Sequence, residues 1–98
     1  MRLTRIVRLH FREEAVAVFL QQFEHDKRNI RQFPGCLYLA LWQDAWIKNV
    51  YYTHSEWNSE DDLENYRNSA LFEEIWGRTK ILFADKPQAF SAYKQEEV

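Results

Sequence analysis

The sequence predicts a single α+β domain in which a four-stranded antiparallel sheet carries its helices on one face, and three observations lead there. The apolar spacing switches between period two and the helical period in the order strand, helix, strand, strand, helix, strand. Turn or capping residues stand where the period changes, at Pro34-Gly35, Asp44 to Lys48, Ser59 and Asp85-Lys86-Pro87. Right-handed crossovers convert that order into one antiparallel sheet with both helical regions packed on the same side.

Leu3 to Phe11 alternates, with Leu3, Arg5, Val7, Leu9 and Phe11 on one side and Thr4, Ile6, Arg8 and His10 on the other. From Glu13 to Gln32 the stripe becomes helical through Ala15, Phe19, Phe23, Ile30 and Phe33. Glu13 and Glu14 suit the positive end of that helix, and Arg28 and Arg31 its negative end. Pro34-Gly35 stops the helix, since proline disfavours helical geometry before it and glycine can turn the chain at positive φ. A strand follows from Cys36 to Gln43, with Leu37, Leu39 and Leu41 opposite Tyr38, Ala40 and Trp42. The short connection from Asp44 to Lys48 makes an antiparallel hairpin with a third strand, Asn49 to Trp57.

Ser59 is placed to cap a second helix, with Asp62 three residues on as the acid of a capping box. The cluster Glu60, Asp61, Asp62 and Glu64 thus has a structural reason at the positive helix end, which weakens any metal or acid/base reading. Asn68-Ser69 compete for backbone hydrogen bonds, so a break is expected there, with Ser69 capping a further piece that carries Phe72, Ile75 and Trp76. Gln88 to Tyr93 supplies the last strand, and residues 94–98 read as a charged, frayed tail.

A net charge of −2 gives no attraction for polyanions, so neither nucleic acid nor anionic membrane is the expected partner. One cysteine, Cys36, excludes an internal disulfide and favours a reducing compartment, where a buried inert thiol is expected. No apolar run reaches the ~18 residues of a membrane span and no signal peptide is read, so a soluble cytoplasmic protein is the default. Aromatic residues make up 16% of the chain and fall on both faces of the strands. One layer of helices covers one face only, so a second copy is expected to close over the other as a two-fold homodimer.

Phe33-Pro34-Gly35-Cys36 before a strand, Ser55-Glu56-Trp57-Asn58-Ser59 at a strand end, and Tyr66-Arg67-Asn68-Ser69 with Phe72 on the next helix form a set. Over the span Leu3 to Tyr93 it resembles the antibiotic biosynthesis monooxygenase (ABM) family. The resemblance implies a ferredoxin-like fold, a dimeric α+β barrel and a cavity between sheet and helices. It also implies a function: oxygenation of quinols or polyketide aromatics without a cofactor, or haem degradation. Quinol-oxidising members commonly carry histidines where this chain has Tyr66 and Leu71. Haem-degrading members combine an asparagine, a tryptophan and a haem-ligating histidine where this chain has Val7, Tyr66 and Trp76. Without that imidazole the iron loses its axial ligand, which argues against haem degradation.

Oxygenation without metal, flavin or haem needs a base, an apolar pocket and hydrogen bonds to the substrate anion. The candidate catalytic residues are His10 and His54, on strands one and three, and Tyr66, whose phenol can stand in for the missing imidazole as a hydrogen-bond partner. Arg8 is a candidate for stabilising an oxyanion or for pairing with Glu56. Trp42, Tyr52 and Trp76, with Tyr66, are candidates for an aromatic substrate pocket, or equally for core and interface; Trp57 is a further candidate for the pocket, at a strand-helix junction where packing the helix against the sheet is its usual role. His25 is expected to face solvent. The expected activity is cofactor-independent oxygenation of a small aromatic or quinol-type molecule; the alternative is a non-catalytic binding or stress-associated dimer of the same fold.

Overall fold

The computed structural model describes Met1–Val98. Its elements are β1 (Leu3–His10), α1 (Val16–Arg31), β2 (Cys36–Gln43), β3 (Val50–Trp57), α2 (Glu60–Arg67), α3 (Ala70–Thr79) and β4 (Gln88–Tyr93). Short 3-10 turns at Glu13–Ala15 and Lys80–Leu82 precede α1 and follow α3. The sheet order is β2-β3-β1-β4 and every pairing is antiparallel. This is the four-stranded α+β architecture expected from the order of periods, and β1 and β3 are neighbours at its centre.

Local signals account for the boundaries. Gly35 adopts φ +88°, and its carbonyl accepts from the Asn58 amide at 2.8 Å, tying the turn after α1 to the end of β3. Ser59 Oγ accepts from the Asp62 amide at 3.1 Å, as a capping residue should. Asp62 does not reach back to the Ser59 amide; its Oδ2 accepts from the Ser59 hydroxyl at 3.0 Å instead. The expected break falls at Ser69, whose Oγ accepts from the Phe72 amide at 3.1 Å and donates to the Tyr66 carbonyl at 2.6 Å. One bond closes α2 and the other opens α3, so the chain bends without leaving its backbone groups unpaired.

β2 departs from simple alternation. Cys36 pairs with Trp57 and Tyr38 with Glu56, so Leu37 is the extra residue of a bulge. The bulge turns the Cys36 side chain into the core, while Leu39 and Leu41 still face the helices. The core forms two clusters. One, around Leu3, Ile30, Cys36, Trp57, Leu63 and Tyr66, lies at the β3 carboxyl end; the other, around Leu9, Phe11, Ala15, Phe19, Tyr51 and Leu82, lies at the opposite end. Full burial of each large apolar side chain contributes roughly 1.5–3 kcal/mol.

Asp26 occupies a position on the apolar stripe of α1 and is buried. Both of its carboxylate oxygens accept from Arg78 of α3, each at 3.1 Å, so a bidentate ion pair clamps the two helices together. Arg78 is about a third exposed, at 35%, which screens part of the attraction. Arg78→Met removes the bidentate partner of the buried carboxylate, leaving it only the exposed His25 imidazole, whose Nδ1 is 3.2 Å from Oδ1, and should lower stability by about 2 kcal/mol in urea unfolding. The same replacement of exposed Arg31, which holds only the Cys36 carbonyl, should have a smaller effect.

Candidate functional site

On the helix-facing side, the middle of the sheet carries short residues from β3 and β4, with larger ones at the ends of β3. β3 presents Tyr51, Thr53, Ser55 and Trp57 there, and β4 presents Ala89 and Ser91 opposite Val7 and Arg5 of β1. The short middle residues cannot reach the helices, so the core parts into its two clusters and leaves a cavity of about 330 Å3 between them. Phe19, Phe23 and Ile30 of α1 contribute to its lining, as do Leu63 and Tyr66 of α2 and Phe72, Ile75 and Trp76 of α3. The space is mostly apolar, with Arg5, Thr53, Ser55, Tyr66 and Arg67 as its polar groups.

Aromatic rings form one continuous wall. Trp57 stacks on Tyr66 with centroids 5.1 Å apart and planes at 26°, and Tyr66 meets Phe72 edge-on at 5.2 Å. Phe72 in turn stacks on Trp76 at 5.8 Å and 10°. Trp57 Nε1 donates to Ser55 Oγ at 3.0 Å, which fixes the indole and satisfies its buried N–H. Burial pushes the Tyr66 phenol well above its ordinary value, with the nearby Cys36 and Asp26 adding to the shift. Tyr66 is therefore a neutral hydroxyl at physiological pH, fit to donate a hydrogen bond and unfit to act as a base.

The sequence-selected residues divide between the two faces of the sheet. Tyr66, Trp57 and Trp76 line the cavity. Arg8, His10, Trp42, Tyr52 and His54 project from the face that the helices leave open. Within one protomer, then, the histidines share no chamber with Tyr66. Nor do they meet each other: β1 pairs Ile6 with His54 and His10 with Val50, a separation of about 13 Å along the strands.

The open face has its own arrangement. His54 sits between Tyr38 and Trp42 with ring centroids 4.9 Å from each. Its Nε2 is 3.1 Å from Glu56 Oε2 but off hydrogen-bonding alignment, and Nδ1 has no partner. Glu56 pairs with Arg2, so the alternative pairing of Arg8 with Glu56 is not formed. Arg8 faces Tyr52, whose hydroxyl donates to Asp44 Oδ1 at 2.6 Å. This bond, with the amides of Ile47 and Trp46, holds the Asp44 carboxyl below the usual range. His25 is 81% exposed on α1, as expected.

Cys36 is buried, and desolvation raises its thiol above the ordinary range. Cys36 and Tyr66 thus bind their protons more tightly in the folded chain than in the unfolded one. The stability they contribute is present below about pH 8.5 and is lost as pH rises through the thiol and phenol range. Urea midpoints should stay level from pH 6 to 8 and fall above pH ~9, and Tyr66→Phe should flatten the upper part of that fall.

Two site residues escaped the sequence reading. Alternation puts Arg5 on the apolar side of β1 and assigns it no role, and Arg67 lies inside the Tyr66-Arg67-Asn68-Ser69 motif with nothing in its spacing to mark it. A charged residue in phase with an apolar face was the signal. No imidazole, carboxylate, amine or thiol lines the cavity. Haem therefore does not fit it: Val7, Tyr66 and Trp76 all line the space, and none supplies the imidazole ligand that haem-degrading members use.

The antibiotic biosynthesis monooxygenase model matches residues 2–77. No curated protein matches the sequence. Among solved structures, a conserved protein from Methanosarcina mazei Go1 superposes with TM-score 0.91 at 16% identity, covering 97% of this chain and 94% of that one. A candidate antibiotic biosynthesis monooxygenase from Bordetella bronchiseptica gives 0.86 at 21% identity, covering 97% and 98%. Rv0793 from Mycobacterium tuberculosis gives 0.89 at 15% identity, covering 99% and 98%. At these identities the likeness to solved structures speaks for the fold. With a family match spanning most of the sequence and the motifs around Gly35, Trp57 and Ser69 each at a boundary of the fold, the chain belongs to the antibiotic biosynthesis monooxygenase family.

Proposed function

We propose that the cavity binds a small planar aromatic molecule and that the bound molecule is oxygenated without a cofactor. The observation that carries this reading is the wall of four rings, Trp57, Tyr66, Phe72 and Trp76, along a cavity of about 330 Å3. In such a reaction the deprotonated substrate passes an electron to O2, and the radical pair combines to a hydroperoxide. Loss of water leaves a carbonyl, so that one CH2 and one O2 become C=O and H2O. The Tyr66 hydroxyl and Arg5 supply the hydrogen bonds and charge that favour the substrate anion.

The second reading, a binding protein without catalysis, is favoured by the lining itself, which offers no group able to take a proton at neutral pH. Oxygen consumption above the autoxidation rate with an anthrone or naphthoquinol separates the two. Catalysis predicts an excess that falls about tenfold in Tyr66→Phe; binding alone predicts tryptophan quenching with no excess uptake. Replacing His10 and His54 one at a time tests whether either serves the chemistry from the other face.

The pairing of two copies belongs to the same proposal. Ile6, Tyr38, Trp42, Tyr52 and Phe90 share the open face, and Trp42 and Phe90 are 48% and 59% exposed. An apolar sheet surface of this kind is buried when two sheets pack face to face. Sedimentation should give twice the 12.0 kDa chain mass at micromolar concentration, and Phe90→Lys should shift it toward the single chain.

A further inference from the structure

Arg5 is out of place by the rules that shaped the rest of its strand. It stands between Leu3 and Val7 on the helix-facing side of β1, and its neighbours across the sheet are Ser55 and Ser91. Its Nη1 donates to Ser91 Oγ at 3.1 Å. No carboxylate lies within 4 Å of it, although seven lysine or arginine contacts with carboxylates form elsewhere in the chain. A guanidinium has five N–H donors in a fixed fork, so four of these remain without a protein partner. Glu64, whose charge favours the ionised form of Arg5, itself accepts from Arg67 at 3.2 Å, out on the exposed surface.

Arg67 lines the same cavity from the last turn of α2, so two cations border an otherwise apolar space. Burial and the charge of Arg67 both work against the charged form of Arg5, with only Glu64 favouring it. Even so, a guanidinium stays charged at neutral pH. A half-buried cation beside a second cation, facing an apolar cavity and lacking a counter-ion, is an arrangement that an anion relieves. The same lining holds no base, so a ligand that must be ionised has to arrive ionised.

We propose that the cavity is specific for an aromatic monoanion, bound with its charged oxygens on Arg5, assisted by Arg67, and its ring system against the Trp57-Tyr66-Phe72-Trp76 wall. This deepens the reading of the cavity as an aromatic binding site and rests on it. Two sources share the chemistry, an aryl carboxylate and the ionised form of an acidic hydroxyquinone, and both present oxygen anions in the plane of a ring.

Titration of the full-length protein by tryptophan fluorescence and calorimetry, at neutral pH and low salt, tests the proposal with three probes. These are 2-naphthoate, its neutral isostere 2-naphthamide, and 2-hydroxy-1,4-naphthoquinone as its anion. The wild-type protein should bind at least one of the anions tenfold or more tightly than the amide, and which anion binds better identifies the source. In Arg5→Met the preference should fall to within about twofold of unity while amide binding persists. Arg5→Lys should retain part of it, and Arg67→Gln should reduce it a few fold. If naphthoate, the quinone anion and naphthamide bind the wild-type protein equally, the aromatic site stands and its anion specificity is overturned. If none of the three binds, the aromatic site and the specificity built on it are both overturned. Because the wild-type comparison alone decides, a poorly folded variant does not shield the proposal.

Discussion

Trp57→Ala should lower the free energy of unfolding by about 4 kcal/mol, the upper range for losing a buried aromatic side chain. Trp57 is 1% exposed and joins the end of β3 to α2 by stacking on Tyr66 at 5.1 Å, and to the turn after α1 by meeting Phe33 edge-on at 6.4 Å. Its loss opens the core at one end of the cavity and leaves Ser55 Oγ without the indole N–H it accepts from. A domain of this size has only ~5–15 kcal/mol in hand, so the variant should be close to unfolding in water. Trp46→Ala is the internal control. That indole is 92% exposed in the β2-β3 connection, and its removal should change the free energy of unfolding by less than ~0.5 kcal/mol. Similar losses in the two variants would contradict the placement of Trp57 at the centre of the packing.

Gly35→Ala should destabilise the fold by about 3 kcal/mol, through two separate effects. At φ +88° a side chain is disfavoured by roughly 1–2 kcal/mol. A methyl at this position would also lie 2.4 Å from Asp62 Cβ and 2.3 Å from Asp62 Cγ, so the α1-β2 turn and the first turn of α2 must separate. Removing the obstructing side chain relieves only the second effect. A thermal double-mutant cycle of Gly35→Ala with Asp62→Gly should therefore show losses that fall short of additive by about 1 kcal/mol. Full additivity would mean that the close approach is absent. Gly77 makes the contrast: a methyl there meets nothing within 4 Å, and alanine in that helix position should be neutral or stabilising.

Much of this fold is legible in the residues because each boundary has a local cause. Pro34-Gly35, Ser59 and Ser69 each act through a backbone geometry or a single hydrogen bond that needs nothing from the rest of the chain. The alternation of β1 and β3 also assigns every side chain to a face. What alternation does not say is which face the helices cover, since aromatic residues stand on both. For that reason the sequence alone does not divide Trp42, Tyr52 and His54 from Tyr66 and Trp76, although the sheet separates the two sets. The Leu37 bulge was hidden as well, because an inserted residue in an apolar strand leaves the composition unchanged.

Buried charge was the other blind spot. Asp26 falls in phase with Phe19, Phe23 and Ile30, and the distant Arg78, with His25 Nδ1 3.2 Å from Oδ1, explains how it can be buried there. Arg5 is the reverse case, in phase with its apolar neighbours and without a carboxylate partner. Phase errors of this kind are worth reading as questions: one is answered within the chain, and the other points to a ligand. The cavity follows the same logic, since Thr53, Ser55 and Ala89 are ordinary strand residues until their position between two aromatic clusters is known.

The four tryptophans provide the most direct test of where a ligand binds. Trp57 and Trp76 border the cavity, Trp42 stands on the open sheet face, and Trp46 lies out in the hairpin connection. Their indole N–H signals can be followed together in a 15N-1H correlation spectrum during titration with 2-naphthoate, assigned by single replacement. Binding between sheet and helices requires Trp57 and Trp76 to shift strongly through ring currents while Trp46 stays in place. Movement of Trp42 and Trp46 with Trp57 and Trp76 unchanged would put the ligand on the outer surface and contradict the account.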